Sequence, residues 1–390
     1  MAYRIHIVHA YFGHYRLPIL KKIQEDPDIE PTFISGMETD ERIKIIDPET
    51  AQQYGLTWRL VKNHWFFGKR FLWQVGLLRA CLQDDYDAIV FLANPFFITT
   101  WIGMIIAKLR KRKVIQWGHF ILRHDLKRWI KQVFYGIPDG LWLYGSWAKG
   151  GLTGIGFNPN CMVVINNSLD HEAQLAVRAG LDFPACQHRR REFFRRPERP
   201  LLLFLGRLTQ RKQIHLLVEA AALLKDENFP VNVLILGDGE TGPALRQLAA
   251  ERGLTEQFVF LSETYAEADV APLIAMADLT VAPGDVGLLA MHSMVYGTPV
   301  ISHDNPYRQM PEFEAITPGV TGDLYTYNSV RSLAVTIRNW LETHQGDREQ
   351  VRRACMAVID DHYTPSYQLE MIKLSLDSWL GSKEHPGWCN

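Results

Sequence analysis

The sequence predicts an α/β protein built from two Rossmann-like domains facing across a cleft, and three observations predict it. Short β-rich runs alternate with longer amphipathic runs through both halves of the 390 residues, the pattern of a parallel sheet covered by helices on both faces. The length suits two domains of roughly 100–200 residues each better than a single core. Between the halves the alternation breaks: FPACQHRRREFFRRPERP, from residue 183 to 200, holds three prolines and six arginines with no clear period. That composition predicts a linker.

In the first half, Arg4–Ala10 (RIHIVHA) predicts a buried strand, then a turn at Gly13 and a helix from about Pro18. Glu30–Ser35 predicts the second strand, Gln74–Gln83 a helix and Ala88–Leu92 (AIVFL) a strand. Val114–Trp117, Gly140–Tyr144 and Met162–Ile165 continue the series. The second half repeats it, with strands at Pro200–Leu205, Val231–Leu236, Phe258–Leu261, Leu279–Ala282 and Pro299–Ser302. Helices are expected at Ile214–Leu224, Pro243–Arg252 and Leu288–Tyr296. A last helical stretch, Ser366–Leu380, has the spacing to pack back on the first domain. The expected division is therefore 1–182, a linker at 183–199, a second domain at 200–364, and a crossover helix with tail at 365–390.

Composition narrows the function. The formal net charge is −1, so no global field draws the chain to nucleic acid, and any basic patch is local. Five widely spaced cysteines form no CxxC pair, which indicates neither a zinc site nor a disulfide framework and fits a reducing, cytoplasmic setting. The N-terminus lacks the basic start and long apolar stretch of a signal peptide. The most apolar run, Ile89–Ala107, is interrupted by Asn94, Pro95, Thr99, Thr100 and Gly103, so a strand followed by a helix explains it better than a membrane span. No Asp, Glu or His cluster stands at metal-ligand spacing, and neither a metal nor another cofactor is expected.

Two loops carry the chemistry. The strand PLLLFL runs into Gly206-Arg207-Leu208-Thr209-Gln210-Arg211-Lys212, with a helix just after. Ligands of open α/β sheets sit beyond the carboxyl ends of strands, where a guanidinium fork and a point-charge ammonium five residues apart can grip one diphosphate. Alone, the pair reads equally well as solvated loop charge. The second loop, Ala282-Pro283-Gly284-Asp285-Val286-Gly287-Leu288, also lies between a strand and a helix. Its glycines let backbone amides approach an anion. Together the loops predict a diphosphate site.

The segments GRLTQRK, LILGDGE, Thr280–Pro299 and Thr317–Leu324 (TPGVTGDL), in this order and spacing, resemble the retaining glycosyltransferases of GT-B fold, in the large family of bacterial polysaccharide and lipid-linked-sugar transferases (family four type). The resemblance covers about the last 190 residues closely. The first half matches in outline, through the glycine turn after strand one, a mid-domain His and the turn Asn167–Asp170. It implies an N-terminal acceptor domain, a C-terminal nucleotide-sugar domain, and transfer to a saccharide or lipid-linked acceptor. Arg207 and Lys212 would hold the donor diphosphate, with Gly13, Gly206, Gly237, Gly284, Gly287 and Leu288 lining the donor site. His119, after the strand VIQW, matches the family's first-domain His beside the transferred sugar. The leaving phosphate would itself help deprotonate the acceptor hydroxyl, with no metal needed.

One departure stands out. The family shows two glutamates, separated by seven residues, around the glycine turn. Anchored on Gly297-Thr298-Pro299, their positions here hold Gly284 and His292, with Asp285 one place along. His292 can still exchange a hydrogen bond with a ribose hydroxyl, and Asp285 can supply a carboxylate to the sugar if the turn is reshaped. The competing readings are a buried helix residue and an N-cap. The pattern therefore admits an active transferase with altered donor handling, an inactive nucleotide-sugar-binding protein, or a related reaction such as a GT-B sugar epimerase.

For the acceptor, His14 and Arg16 follow strand one, and Arg123 and His124 follow Gly118-His119. Lys108–Lys113 (KLRKRK) and the arginines of the predicted linker, interleaved with Phe193 and Phe194, suit an anionic membrane surface, although a solvated charged helix end and linker would look the same. The partners expected are a nucleotide-diphosphate sugar, an acceptor glycan or glycolipid and such a surface, with no nucleic acid.

Overall fold

The structure, a computed structural model, describes residues 2–38, 44–120 and 128–381. The chain divides into two compact units: Met1–Asp170 together with Thr364–Asn390, and His171–Tyr363.

The first unit runs β1 (Tyr3–Val8), α1 (Leu17–Glu25), β2 (Ile29–Ser35), α2 (Pro48–Gln53), β3 (Trp58–Leu60), β4 (Lys62–Phe66), β5 (Phe71–Val75), α3 (Leu77–Gln83), β6 (Ala88–Leu92), α4 (Ile98–Leu109), β7 (Lys113–Gly118), α5 (Arg128–Gly136), β8 (Gly140–Leu143), α6 (Ser146–Thr153) and β9 (Met162–Val164). Among the described residues, seven strands form one parallel sheet ordered β3-β2-β1-β6-β7-β8-β9. Strands buried on both faces explain the near-continuous apolar runs of AIVFL and VIQW.

The closing helix, Pro365–Leu380, belongs to this unit. Ile372, Leu376 and Trp379 lie in the core formed by β1, α1, β7 and β8. Trp142 Nε1 donates to Ser375 Oγ at 2.8 Å, and Lys373 bridges Asp26 (2.9 Å) and Asp28 (2.7 Å). Gly140 has no room for a side chain: a Cβ would sit 2.3 Å from the Trp379 ring.

The helix expected from Gln74 begins at Leu77 instead, and Gln74 lies in a strand of the antiparallel hairpin β4–β5, opposite Asn63. Its side chain is buried, and Nε2 donates to His9 O (3.0 Å) and Asn63 Oδ1 (3.1 Å). That polar anchor holds the strand, and Gly76 at φ 95 makes the turn into the helix.

The basic run KLRKRK is largely engaged within the unit. Lys108 pairs with Asp139 at 2.8 Å, Arg112 with Asp85 at 2.9 Å, and Arg110 Nη1 donates to the carbonyls of Cys81 and Asp84, both at 2.8 Å. Among the described residues no helix is long and apolar enough to cross a membrane. Cys81, Cys186 and Cys355 are buried free thiols.

The second unit runs α7 (His171–Ala179), α8 (Phe183–His188), α9 (Arg190–Phe193), β10 (Leu201–Leu205), α10 (His215–Asp226), β11 (Asn232–Leu236), α11 (Gly242–Glu251), β12 (Phe258–Leu261), α12 (Glu267–Met276), β13 (Leu279–Val281), α13 (Leu288–Met294), β14 (Val300–His303), β15 (Gly322–Tyr325), α14 (Val330–Thr343) and α15 (Arg348–His362). Among the described residues, six strands form a second parallel sheet, ordered β12-β11-β10-β13-β14-β15.

The boundary differs from the sequence reading, because the first unit ends at Asp170 rather than 182 and the expected linker 183–199 is part of the second unit. Asp182 caps α8 by accepting from Ala185 N at 3.0 Å, and Pro184 occupies its first turn, where the missing N–H costs nothing. Arg190 is buried, donates through Nε to Met276 O at 2.9 Å and pairs with Asp278 at 2.8 Å. Ahead of them, Arg178 of α7 grips Asp360 at 2.7 Å, which fastens the segment to α15. Within the expected linker, Pro184 is thus part of a helix start and Arg190 a buried clamp.

Candidate functional site

In the second unit the chain goes outward through β10, β11 and β12, then returns to lay β13 on the other side of β10. The strand order therefore reverses between β10 and β13, and ligands of open α/β sheets bind at such a switch point. The loops that follow those two strands are Gly206–Lys212 and Ala282–Gly287, the pair singled out in the sequence.

Backbone hydrogen bonds stitch three loops into one surface. Leu208 N donates to Asp238 O (2.9 Å), Thr241 N to Leu208 O (3.0 Å) and Gly284 N to Lys212 O (2.9 Å). The approach is too close for side chains. A Cβ on Gly284 would lie 2.2 Å from Arg211 O, and one on Gly237, at φ 145, would lie 2.1 Å from Gly206 O. These glycines are required by backbone meeting backbone.

The cations sit on this surface. Arg207 is exposed. Lys212 Nζ lies 3.0 Å from Asp285 Oδ1 and donates to Asp285 O at 2.8 Å, while Arg211 Nε pairs with the other carboxylate oxygen. Arg207, Arg211 and Lys212 thus bring three cations to these loops, donors of the kind that bind a diphosphate. Asp285 is only 3 % exposed and engaged by both cations, so it anchors Lys212 rather than offering its carboxylate to a sugar. Nor is it an N-cap, since α13 starts after Gly287 with no side-chain cap.

Other polar groups fix the turn from beneath. Gln309 accepts Val286 N through Oε1 (2.9 Å) and donates through Nε2 to Ser302 Oγ (2.7 Å) and His303 O (3.0 Å). Tyr325 OH donates to Pro283 O at 2.5 Å. His303 is fully buried, and burial pushes its imidazole down to about 4. None of these was legible beforehand, because each acts through a fold-dependent backbone contact.

Along α13, Leu288 and His292 are half-buried while Leu289, Ala290, Met291, Ser293 and Met294 are buried. His292 Nε2 lies 3.0 Å from Glu267 Oε2 at the start of α12. The same oxygen accepts Tyr296 OH at 2.7 Å, and Oε1 accepts Gln174 Nε2 at 3.3 Å. Burial opposes ionisation of Glu267, but bonds from His292, Tyr296 and Gln174 hold its carboxyl below the usual range. Glu267 was missed because it lies 25 residues before His292 in a stretch with no motif.

In the first unit the corresponding switch lies between β1 and β6. Gly13 precedes the short turn His14–Arg16 beyond β1, and His119 follows β7. They are drawn together through rings: the Arg16 guanidinium stacks over Trp117 (5.1 Å), Tyr15 (5.2 Å) and Tyr144 (5.5 Å), and His119 meets Tyr144 at 5.1 Å. Arg16 is buried and so is no exposed acceptor contact. Its charge is spread over aromatic faces. His14 is half-buried, its pKa lowered by burial and by Lys44. Arg123 and His124 lie outside the described residues. The loop Ala93–Phe97 after β6, at the switch itself, was read only as the break between a strand and a helix. Among the described residues no group of three or more His, Cys, Asp or Glu side chains is placed to hold a metal.

Residues 187–355 match the family model described as "Glycosyl transferases group 1". The second unit thus contains the segment that matches group 1 glycosyl transferases. Curated relatives of this domain include an alpha-D-kanosaminyltransferase of Streptomyces kanamyceticus (28 % identical over 120 residues; 29 % of this chain, 30 % of the relative). Others are a D-inositol 3-phosphate glycosyltransferase of Nocardia farcinica (32 % over 168 residues; 40 % and 35 %) and a lipopolysaccharide core biosynthesis glycosyltransferase of Rhizobium meliloti (32 % over 143 residues; 36 % and 36 %). The chain thus matches about a third of the length of these relatives. Among solved structures, HepE of Anabaena in complex with UDP aligns at TM-score 0.72 with 17 % identity, over 97 % of this chain and 100 % of that one. The lipopolysaccharide outer core galactosyltransferase WaaB aligns at TM-score 0.70 with 15 % identity, over 96 % and 99 %. These likenesses show the fold, which is of GT-B class, with a Rossmann-like sheet in each unit.

Proposed function

We propose that the protein is a glycosyltransferase that moves a sugar from a nucleotide-diphosphate donor to a saccharide or lipid-linked acceptor in surface polysaccharide or glycolipid synthesis. The observation that carries this is the switch-point surface of the group 1 domain, where Arg207 and Lys212 stand over glycine-lined backbone. Stabilising the leaving diphosphate is the main demand of such a reaction, and preorganised cations meet it. Transfer proceeds with retention and without a metal, the leaving phosphate taking the acceptor's proton. UDP in the HepE structure makes uridine diphosphate sugars the first donors to test. Incubation with UDP- and GDP-sugars should release the nucleoside diphosphate, and Lys212→Ala should cut release about 100-fold or more. Release unchanged in that variant overturns the assignment.

A second reading is a peripheral position on an anionic inner membrane face. Ile105 and Leu109 on α4 and Trp129 and Val133 on α5 are exposed, and the helices meet through Trp101 and Phe134 at 4.8 Å. This apolar stripe, more than the engaged KLRKRK run, supports the reading. Sedimentation with anionic vesicles, lost in Leu109→Ser/Trp129→Ser, tests it.

A further inference from the structure

The accessible stripe of α13 starts beside the cationic grip. Gly287, just before Leu288, lies so near Lys212 that a Cβ there would be 3.9 Å from Nζ. His292 follows Leu288 by one turn, about 6 Å along the axis at 1.5 Å per residue. In a nucleoside diphosphate held by its phosphates, the next group along the molecule is a ribose, whose hydroxyls need hydrogen-bond partners.

The state of His292 is set from outside its own helix. A carboxylate accepts and cannot donate. Glu267, a carboxylate already receiving Tyr296 OH and Gln174 Nε2, therefore accepts a hydrogen bond from His292 Nε2–H across 3.0 Å. That bond turns Nε2–H toward the carboxylate and leaves Nδ1 for another partner, the arrangement by which carboxylates orient histidines elsewhere. We propose that Glu267 is a positioning residue that presents His292 Nδ1 to a ribose hydroxyl of the bound nucleotide. The carboxylate absent from α13 acts from α12 instead, relayed through an imidazole. This rests on the reading of the second unit as a nucleotide-sugar site.

The test is calorimetric titration of the full chain with UDP, GDP and ADP, then with the 2′-deoxy and 3′-deoxy forms of the tightest binder. The wild type should prefer the ribonucleotide over one deoxy form by about tenfold, the penalty for leaving a polar partner unpaired. Glu267→Gln, which can donate to Nε2 and reverse the tautomer, should shrink that preference to about twofold while leaving affinity for the deoxy form unchanged. In His292→Glu/Glu267→Gln, a carboxylate placed directly on α13 should restore it. Should Glu267→Gln fail to fold, as judged by its thermal midpoint, His292→Gln reads the same ratio. Equal losses for ribo and deoxy forms, or an unchanged ratio, overturn the positioning role alone. Failure of all three diphosphates to bind overturns both readings.

Discussion

Lys212 Nζ stands 3.0 Å from Asp285 Oδ1 and hydrogen-bonds the carbonyl of the same residue at 2.8 Å. The cation proposed to grip the diphosphate is thus itself held, by a carboxylate that is almost wholly buried. Replacing Asp285 with Asn should weaken both effects of this anchor. Donor KM should rise several-fold with a smaller change in kcat, because the cation is mispositioned rather than lost. Asp285→Ala should also cost about 1–3 kcal/mol of stability, the range for stripping a partner from charged groups that are partly solvated. Steady-state kinetics and urea unfolding check the two parts. An unchanged KM argues against the anchoring role.

The loops around that pair leave no space at Gly284, where a Cβ would lie 2.2 Å from Arg211 O. Gly284→Ala should therefore separate the two loops. The expected result is loss of nucleoside diphosphate binding by at least about tenfold with a destabilisation of about 1–3 kcal/mol, as for overpacking elsewhere. Titration calorimetry on a variant that still melts cooperatively tells a local effect from global unfolding.

His303 gives a pH dependence whose sign is fixed. Its pKa falls from 6.5 to about 4 on folding, through burial. Between those values the unfolded chain binds a proton that the folded chain refuses, so stability present above pH 6.5 is lost as pH falls toward 4. The loss should reach about 3 kcal/mol. Urea midpoints from pH 7 to 4.5 should drop less steeply in His303→Gln than in the wild type. Parallel slopes would remove His303 from the account.

The closing helix offers a structural prediction. Trp379 covers Gly140, and Trp142 donates to Ser375. Trp379→Ala should destabilise the first unit by about 3–5 kcal/mol, as for large aromatics removed from cores. Hydrogen exchange should locate the effect in β8, β9 and α1, leaving the protection of β10–β15 as it was.

The strand ends were the readable part of the site. Arg207, Lys212, Gly284 and Gly287 follow buried apolar runs, and position relative to a strand is what periodicity encodes. The parallel sheets were legible for the same reason. Residues that act sideways were not. Glu267, Gln309 and Tyr325 reach the site through side-chain contacts spanning 23 to 42 residues, and no local pattern marks such a meeting. The segment 183–199 misled in the opposite sense. Arginine and proline there read as solvated linker, whereas Arg190 is buried against the carbonyl of Met276. Arg16 likewise reads as an exposed basic residue after a strand, and its burial depends on Trp117 and Tyr144 arriving from β7 and β8.

The segment His171–Tyr363 is continuous, whereas the other unit is assembled from pieces on either side of it. On the ribosome this inverts the usual order, in which the leading domain folds first. The sheet of β1–β3 and β6–β9 waits for Ile372, Leu376 and Trp379, and these emerge only after the whole intervening unit has been made. The segment made second is thus the first that can finish folding. Until the last helix arrives, the nascent chain carries a finished domain beside a sheet whose core still lies open to chaperones.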